Sequence, residues 1–193
     1  MKQEPAGELS WSNERLVREC GKGNQAAWSA LIEKYKNLIF SIPIKFGLSR
    51  EDAADIFQAV CLDLLSDLPK LREPRALPKW LMQTSFHKCL HWKKHRLTLF
   101  DDAQEVETRP EASTEELPED MLYQLQREQV LRDAIATLPT RCHRMVGMLF
   151  FESPPRPYQE IAKQLGIATG SIGFIRGRCL RLLRQRLEKE GFK

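Results

Sequence analysis

Apolar residues recur along this chain at spacings of three and four, and the alternation typical of strands is absent. In the first half this pattern predicts helices starting near Asn13, running from Gln25 to about Phe46, from Ser49 to Pro69, and from Lys79 to about Leu97. In the second half it predicts helices over 121–138, about 140–151, 158–165 and about 169–187. The sequence therefore predicts an all-α protein.

Local signals indicate where several helices begin and end. Asn24 and Ser49 are predicted N-caps, and Asp52 stands at the capping-box position relative to Ser49. Gly166 is expected to end a helix in the left-handed conformation. Pro43 is expected to kink or divide its helix, because proline lacks the backbone N–H.

The last two predicted helices form a pair joined by the short turn at Gly166. Ile161, Ala162 and Leu165 make the inner face of the first helix. The inner face of the second consists of Ile172, Ile175, Cys179, Leu182 and Leu183. A small residue, a turn glycine and a core residue at these positions are typical of a helix-turn-helix.

Charge divides the chain into three parts. The formal net charge is +4, yet residues 98–120 hold nine acidic residues and one base. The sequence predicts two small helical domains, 13–97 and 121–190, joined by a flexible acidic linker over 98–120. Two basic segments around an acidic one indicate two surfaces for a polyanion, although such charge also serves solubility.

Composition excludes several classes of function. The chain shows no signal-peptide pattern and no run of eighteen apolar residues, which predicts a soluble cytoplasmic protein without membrane insertion. The five scattered cysteines are interpreted as reduced thiols, most of them buried. We find no catalytic constellation and predict no enzyme activity, cofactor or metal. His87, His91 and His95 share a helix face but span too great a length for one ion.

Aromatic and basic residues alternate in the helix predicted over 79–97. Its aromatics are Trp80, Phe86 and Trp92, and its bases are Lys88, Lys93, Lys94 and Arg96. Bases bind phosphates and aromatic faces stack on unpaired nucleotides, which together favour single-stranded nucleic acid. The alternative is that the aromatics belong to the core, as aromatics at helical spacing usually do.

The last helix carries five arginines off its apolar face, at positions 176, 178, 181, 184 and 186. An arginine-rich helix after such a turn favours binding in a phosphate-lined groove, and the alternative is a solvated face. Gly170, Gly173 and Gly177 share one side of the same helix. They indicate either close approach of DNA or of another helix, or a weak helix start.

Three blocks of the chain resemble the extracytoplasmic-function (group 4) sigma factors of bacterial RNA polymerase. GNQAAWSALIEKY with EDAADIFQAVCLDLL is similar to their region 2.1–2.2, and PKWLMQTSFHKCLHWKKHR is similar to region 2.3–2.4. The third block, AIATLPTRCHRM with YQEIAKQLGIATGSIGFIRGRCLRLLR, is similar to region 4.

The resemblance implies a factor that directs core polymerase to promoters. It implies that Asp55 and Gln58 contact the β′ clamp helices, with the β flap as a further polymerase contact. The expected −10 residues are Trp80, Gln83, His87, Lys88, His91 and Lys93, and the expected −35 residues are Ser171, Phe174, Arg176, Arg178 and Arg181. An anti-sigma protein is a further partner known for the family.

Two alternatives remain at this stage. A nucleic-acid enzyme would need a metal or nucleophile constellation, which the sequence does not show. A helix-turn-helix regulator would bind duplex operator DNA without acting as a sigma subunit.

Overall fold

The computed structural model describes residues 11–100 and 116–192, and these residues form eight α-helices and no strand. The α-helices are α1 Asn13–Gly21, α2 Gln25–Lys45, α3 Arg50–Asp67, α4 Leu77–Phe100, α5 Glu119–Ala136, α6 Thr140–Phe150, α7 Tyr158–Leu165 and α8 Ile172–Lys189. Single-turn 3₁₀ helices cover Leu68–Lys70, Pro74–Ala76 and Thr169–Ser171. The predicted all-α class is confirmed. No helix in the described ranges is both long and apolar enough to cross a membrane.

The predicted capping signals form as expected. The Asn24 side chain accepts hydrogen bonds from the backbone N–H groups of Ala26 and Ala27. Ser49 and Asp52 make a complete capping box at the start of α3. Gly166 ends α7 with φ of 62° and ψ of 41°, the left-handed conformation that glycine adopts without steric cost.

The first compact unit contains α1 to α4 and the start of α5, up to Gln126. Its core brings together the inner faces of four helices, and among its fully buried side chains are Leu16, Leu31, Tyr35, Leu64, Leu81 and Met82. Tyr35 is satisfied inside this core because its hydroxyl donates to the Asn13 side chain at 2.7 Å. These contacts fix the faces of α3 and α4 that remain toward solvent.

The second compact unit starts at Arg127 and contains the rest of α5 with α6, α7 and α8. Met145, Ile161 and Ile172 are fully buried in its core, together with parts of all four helices. The predicted inner face of α8 is confirmed, since Ile172, Cys179 and Leu183 are buried while Ile175 and Leu182 pack against the same cluster.

The expectation that all five cysteines are reduced is wrong. Cys142 of α6 and Cys179 of α8 form a disulfide, with their Cα atoms 5.2 Å apart, because the inner faces of these helices meet. Cys20, Cys61 and Cys89 are free, as predicted. Of the two outcomes expected for Pro43, division of the helix does not occur, because α2 continues to Lys45 and the missing N–H falls within its last turn.

Residues 101–115 of the predicted linker lie outside the described residues. At its two ends the helices run further than expected. Residues 98–100 continue α4, and Glu119 and Asp120 begin α5.

Candidate nucleic-acid and partner interfaces

Asp55 and Gln58, the predicted polymerase contacts, are both exposed on α3. The opposite face of this helix is held in the core by Ala53, Ile56 and Val60. Packing therefore fixes the direction in which the two polar side chains point. Asp55 forms no ion pair with any residue in the described ranges.

Two exposed leucines extend that face beyond the predicted residues. Leu62 is 66% exposed and Leu65 is 58% exposed, and their spacing from Gln58 keeps them on the same side of α3. The combination of an acid, an amide and two leucines suits a protein partner more than solvent, because leucine gains free energy when buried. The spacing of apolar residues in α3 leaves Leu62 off the inner face but also predicts a buried Leu65, and the exposure of Leu65 corrects that prediction.

The predicted −10 residues occupy α4 in different environments. Trp80, Gln83, His87 and His91 share one face at spacings of three and four. Trp80 is half-buried and packs against the core, and His91 is exposed. The indole of Trp80 is therefore not freely exposed.

Gln83 and His87 are engaged with each other and with a distant segment. The Gln83 side-chain nitrogen lies 2.9 Å from Nε2 of His87. The Gln83 side-chain oxygen accepts a hydrogen bond of 3.2 Å from the backbone N–H of Leu117, 34 residues further along the chain. Both ends of the Gln83 amide are thus occupied within the protein.

The bases of α4 are also committed to neighbours. Lys88 forms an ion pair of 2.8 Å with Asp63 of α3. Lys93 is exposed, and its ammonium lies 5.2 Å from the centroid of the Phe46 ring. These contacts hold the Lys88 and Lys93 ammonium groups close to the surface of the first unit.

The aromatic residues Phe86 and Trp92 belong to the core of the first unit. Phe86 is buried, with its ring centroid 5.4 Å from that of Phe46. Trp92 is partly buried against the same core, and the Arg96 guanidinium lies 4.9 Å from its ring. The alternative interpretation of these two aromatics as core residues is confirmed.

In the second unit, α8 presents an open face. Phe174 is 79% exposed, and Arg178 and Arg181 are exposed four and seven residues after it. Ser171 is half-buried at the start of the helix. Three of the five predicted −35 residues therefore share one accessible face.

Arg176 lies on a different side of α8. Its guanidinium donates to the hydroxyl of Tyr158 at 2.9 Å, which connects the start of α7 to α8. Tyr158 was not among the predicted site residues, and no sequence signal separates it from an ordinary first-turn residue.

Gly170, in the 3₁₀ turn before α8, and Gly173 and Gly177 of α8 contact no other helix in the described part of the chain. A Cβ atom added to Gly170, Gly173 or Gly177 would meet nothing within 4 Å. Packing against another described helix is therefore excluded as their explanation. Close approach of DNA and a weak helix start remain.

Two of the three free thiols of the first unit, Cys20 and Cys89, are buried. Burial raises the pKa of Cys20 to about 11 and that of Cys89 to about 12. Both stay protonated near neutral pH, and the thiol is a poor nucleophile and metal ligand. Within the described ranges no group of three or more His, Cys, Asp or Glu could hold a metal ion.

The described residues thus define an all-α protein with two helical units, each carrying a basic helix. No known family model and no curated protein matches the sequence. Among solved structures, the chain is similar to one titled "Structure of CnrH in complex with the cytosolic domain of CnrY". The identity is 16%, the TM-score is 0.38, and the match covers 92% of this chain and 97% of that chain. At those values the similarity assigns neither a family nor a function.

Proposed function

We propose that this chain is a transcription initiation factor of the sigma type, which binds core RNA polymerase and directs it to particular promoters. The observation that carries the proposal is the presence of two basic helices in two separate units. One helix, α4, combines bases with Trp80, Gln83 and His87, and the other, α8, exposes Phe174 and arginines. The protein acts by binding, in the cytoplasm, and performs no catalysis.

In this proposal α7 and α8 form a helix-turn-helix, and α8 lies in the major groove of the −35 element. Arg178 and Arg181 contact guanine edges or phosphates, because the guanidinium donates in a planar fork. Phe174 offers its apolar ring to a thymine methyl group. Ser171 stands at the helix start near a phosphate, and Arg176 contacts the backbone from the side held by Tyr158.

The first unit supplies the other two contacts. The face of α4 with Trp80, Gln83, His87 and His91 receives unpaired −10 nucleotides, while Lys88 and Lys93 neutralise phosphates. The face of α3 with Asp55, Gln58, Leu62 and Leu65 binds the β′ clamp helices of the polymerase. The β flap and an anti-sigma protein are further partners, which follow from the sequence resemblance alone.

The decisive experiment is run-off transcription with purified core polymerase on a promoter library. We expect specific start sites when this chain is added and none with core polymerase alone. Absence of specific transcripts, together with a shift of duplex DNA by the chain alone, would refute the sigma role.

The polymerase face is tested with a matched pair of variants. Leu65→Arg should weaken binding to core polymerase by about tenfold or more, as expected when an apolar side chain that becomes buried in an interface is replaced by a charged one. Ser29→Arg is the control, since Ser29 is exposed on another helix, α2, and not on the Asp55 face of α3. Equal affinity of both variants for core polymerase would contradict the assignment.

A helix-turn-helix regulator is the second candidate. The observation in its favour is that α8 is open while Gln83 and His87 of α4 are engaged within the protein. A regulator of this kind needs only the second unit to bind duplex DNA. It predicts operator binding without core polymerase, and it predicts that changes on α3 leave regulation unaffected.

A further inference from the structure

The segment 116–126, at the end of the acidic region, lies on the face of α4 that carries Gln83. Leu117 is only 5% exposed, although it stands among exposed acidic residues in the sequence. Its backbone N–H donates to the Gln83 side-chain oxygen. A leucine expected in a solvated linker is therefore part of the first core.

The first turns of α5 continue this contact. Leu125 is fully buried in the core formed by α1 to α4, and Met121 and Leu122 pack partly buried against it. The next residues of α5 belong to the second unit. The segment is thus anchored to the first unit by four apolar side chains.

The segment also changes what α4 can bind. The Gln83 amide oxygen accepts from Leu117 and its nitrogen bonds His87, so a nucleotide base would have to share each end of the amide with these partners or displace them. Glu116, Glu119 and Asp120 are exposed within three residues of Leu117 and add negative charge there. Negative charge at this point repels the phosphates that the bases of α4 would attract.

We propose that residues 116–126 form an intramolecular cover on the strand-binding face of α4, which has to leave before Gln83 and His87 bind an unpaired strand. This inference rests on the proposed function. The cover competes with the strand for the same amide, and its carboxylates add negative charge that a strand approaching Gln83 would meet. Binding of single-stranded DNA is then reduced by the fraction of molecules in which the cover is closed.

The limited size of the contact makes release feasible. Of the four apolar side chains, Met121 and Leu122 remain partly exposed, and Leu117 is linked to α4 by a backbone hydrogen bond to Gln83. Such a contact supports an equilibrium between closed and open forms that a ligand can shift. The competing interpretation is that the segment is a permanent part of the first core.

The test uses the full chain and two probes, a fluorescent 20-nucleotide pool of random single-stranded DNA and the same pool as duplex. The opening variant is Leu117→Gln with Leu122→Gln. The control is Tyr123→Gln, on the exposed side of the same helix. We expect the opening variant to bind single strands about tenfold more tightly than the wild type, with duplex binding unchanged, if the closed form dominates about ten to one.

Amide hydrogen exchange on the wild-type chain keeps the inference testable if the variant does not fold. Saturating single-stranded DNA should increase exchange of the amides of residues 117–125, because the cover is displaced. Unchanged protection of this segment in the bound state would overturn the cover. So would an opening variant whose affinity for single strands equals that of the control.

Run-off transcription separates the two proposals. Specific transcripts without any gain in single-strand binding would leave the sigma role intact and remove the cover. A gain in single-strand binding without specific transcripts would support the cover and refute the sigma role.

Discussion

The helices α4 and α8 are both basic, yet the protein uses their charges differently. On α4, Lys88 is paired with Asp63, and the Gln83 amide is occupied by Leu117 and His87. On α8, Phe174 is 79% exposed and Arg178 and Arg181 face solvent. Equal charge in the sequence therefore does not mean equal availability for a ligand.

The difference follows from the neighbours of each helix. α4 packs against both α2 and α3, so acids and aromatic rings from those helices border its basic side. α8 buries one face against the second core and leaves the opposite face uncovered in the described part of the chain. On α4 a ligand therefore has to compete with neighbouring helices for part of the basic side, whereas Arg178 and Arg181 of α8 are open to a partner.

The largest expected effect concerns the disulfide that fixes α8 to α6. Reduction should lower the free energy of unfolding of the second unit by about 2–4 kcal/mol, because the crosslink closes a long loop in the unfolded chain. Thermal unfolding with and without dithiothreitol measures this, and the first unit serves as the internal control. Alkylation under denaturing conditions should label three cysteines before reduction and five after it. Five labels without reduction would disprove the crosslink.

The second prediction compares one base from each helix. Arg178→Ala should weaken binding to promoter duplex by about 1–3 kcal/mol, the usual contribution of an arginine at a base edge. Lys88→Ala should leave duplex binding unchanged, since Lys88 is paired with Asp63, and should cost stability by no more than about 1 kcal/mol. Duplex titration and chemical denaturation give the two values. Equal loss of duplex affinity in both variants would show that α4 and α8 do not differ in duplex binding. Loss of polymerase binding by Arg178→Ala would contradict the division of roles between the units.

Helix positions and inner faces were predictable because their signals are local. Asn24 and Ser49 cap their helices through side-chain bonds spanning two or three residues, and Gly166 adopts the expected turn. The apolar spacing of α8 also identified its buried face. Each of these features depends on residues within a few positions of one another, and the sequence displays such patterns directly.

Contacts between distant segments were not predictable in the same way. Leu117 is one leucine among acidic residues, without any periodicity, and only its docking against α4 shows that it is buried. The pairing of Cys142 with Cys179 depends on which inner faces meet, and spacing alone does not specify that. The ion pair between Lys88 and Asp63 was likewise not predicted, because Asp63 lies on another helix.

The third prediction compares the starts of α3 and α8. Ser49→Ala should reduce the free energy of unfolding of the first unit by about 1 kcal/mol, because it removes the capping box. Ser171→Ala should have almost no effect on stability, since the Ser171 side chain makes no capping bond at α8. Denaturant unfolding of both variants measures the difference. A clear loss of stability in Ser171→Ala would mean that α8 has a cap that the structure does not show.

The smallest expected effect is that of Gly173→Ala, and it distinguishes the two remaining explanations for the glycines of α8. Gly173→Ala should raise the free energy of unfolding of the second unit by about 0.5–1 kcal/mol, because alanine favours the helix and the added Cβ meets no atom within 4 Å. A weak helix start with no other role predicts that this variant binds promoter duplex as tightly as the wild type. Close approach of DNA predicts the opposite pairing, a more stable protein that binds duplex less tightly, since the methyl group would stand between the helix and the groove. Denaturation and duplex titration on the same preparation separate these outcomes. A stable variant with unchanged affinity would limit the recognition face of α8 to Phe174, Arg178 and Arg181.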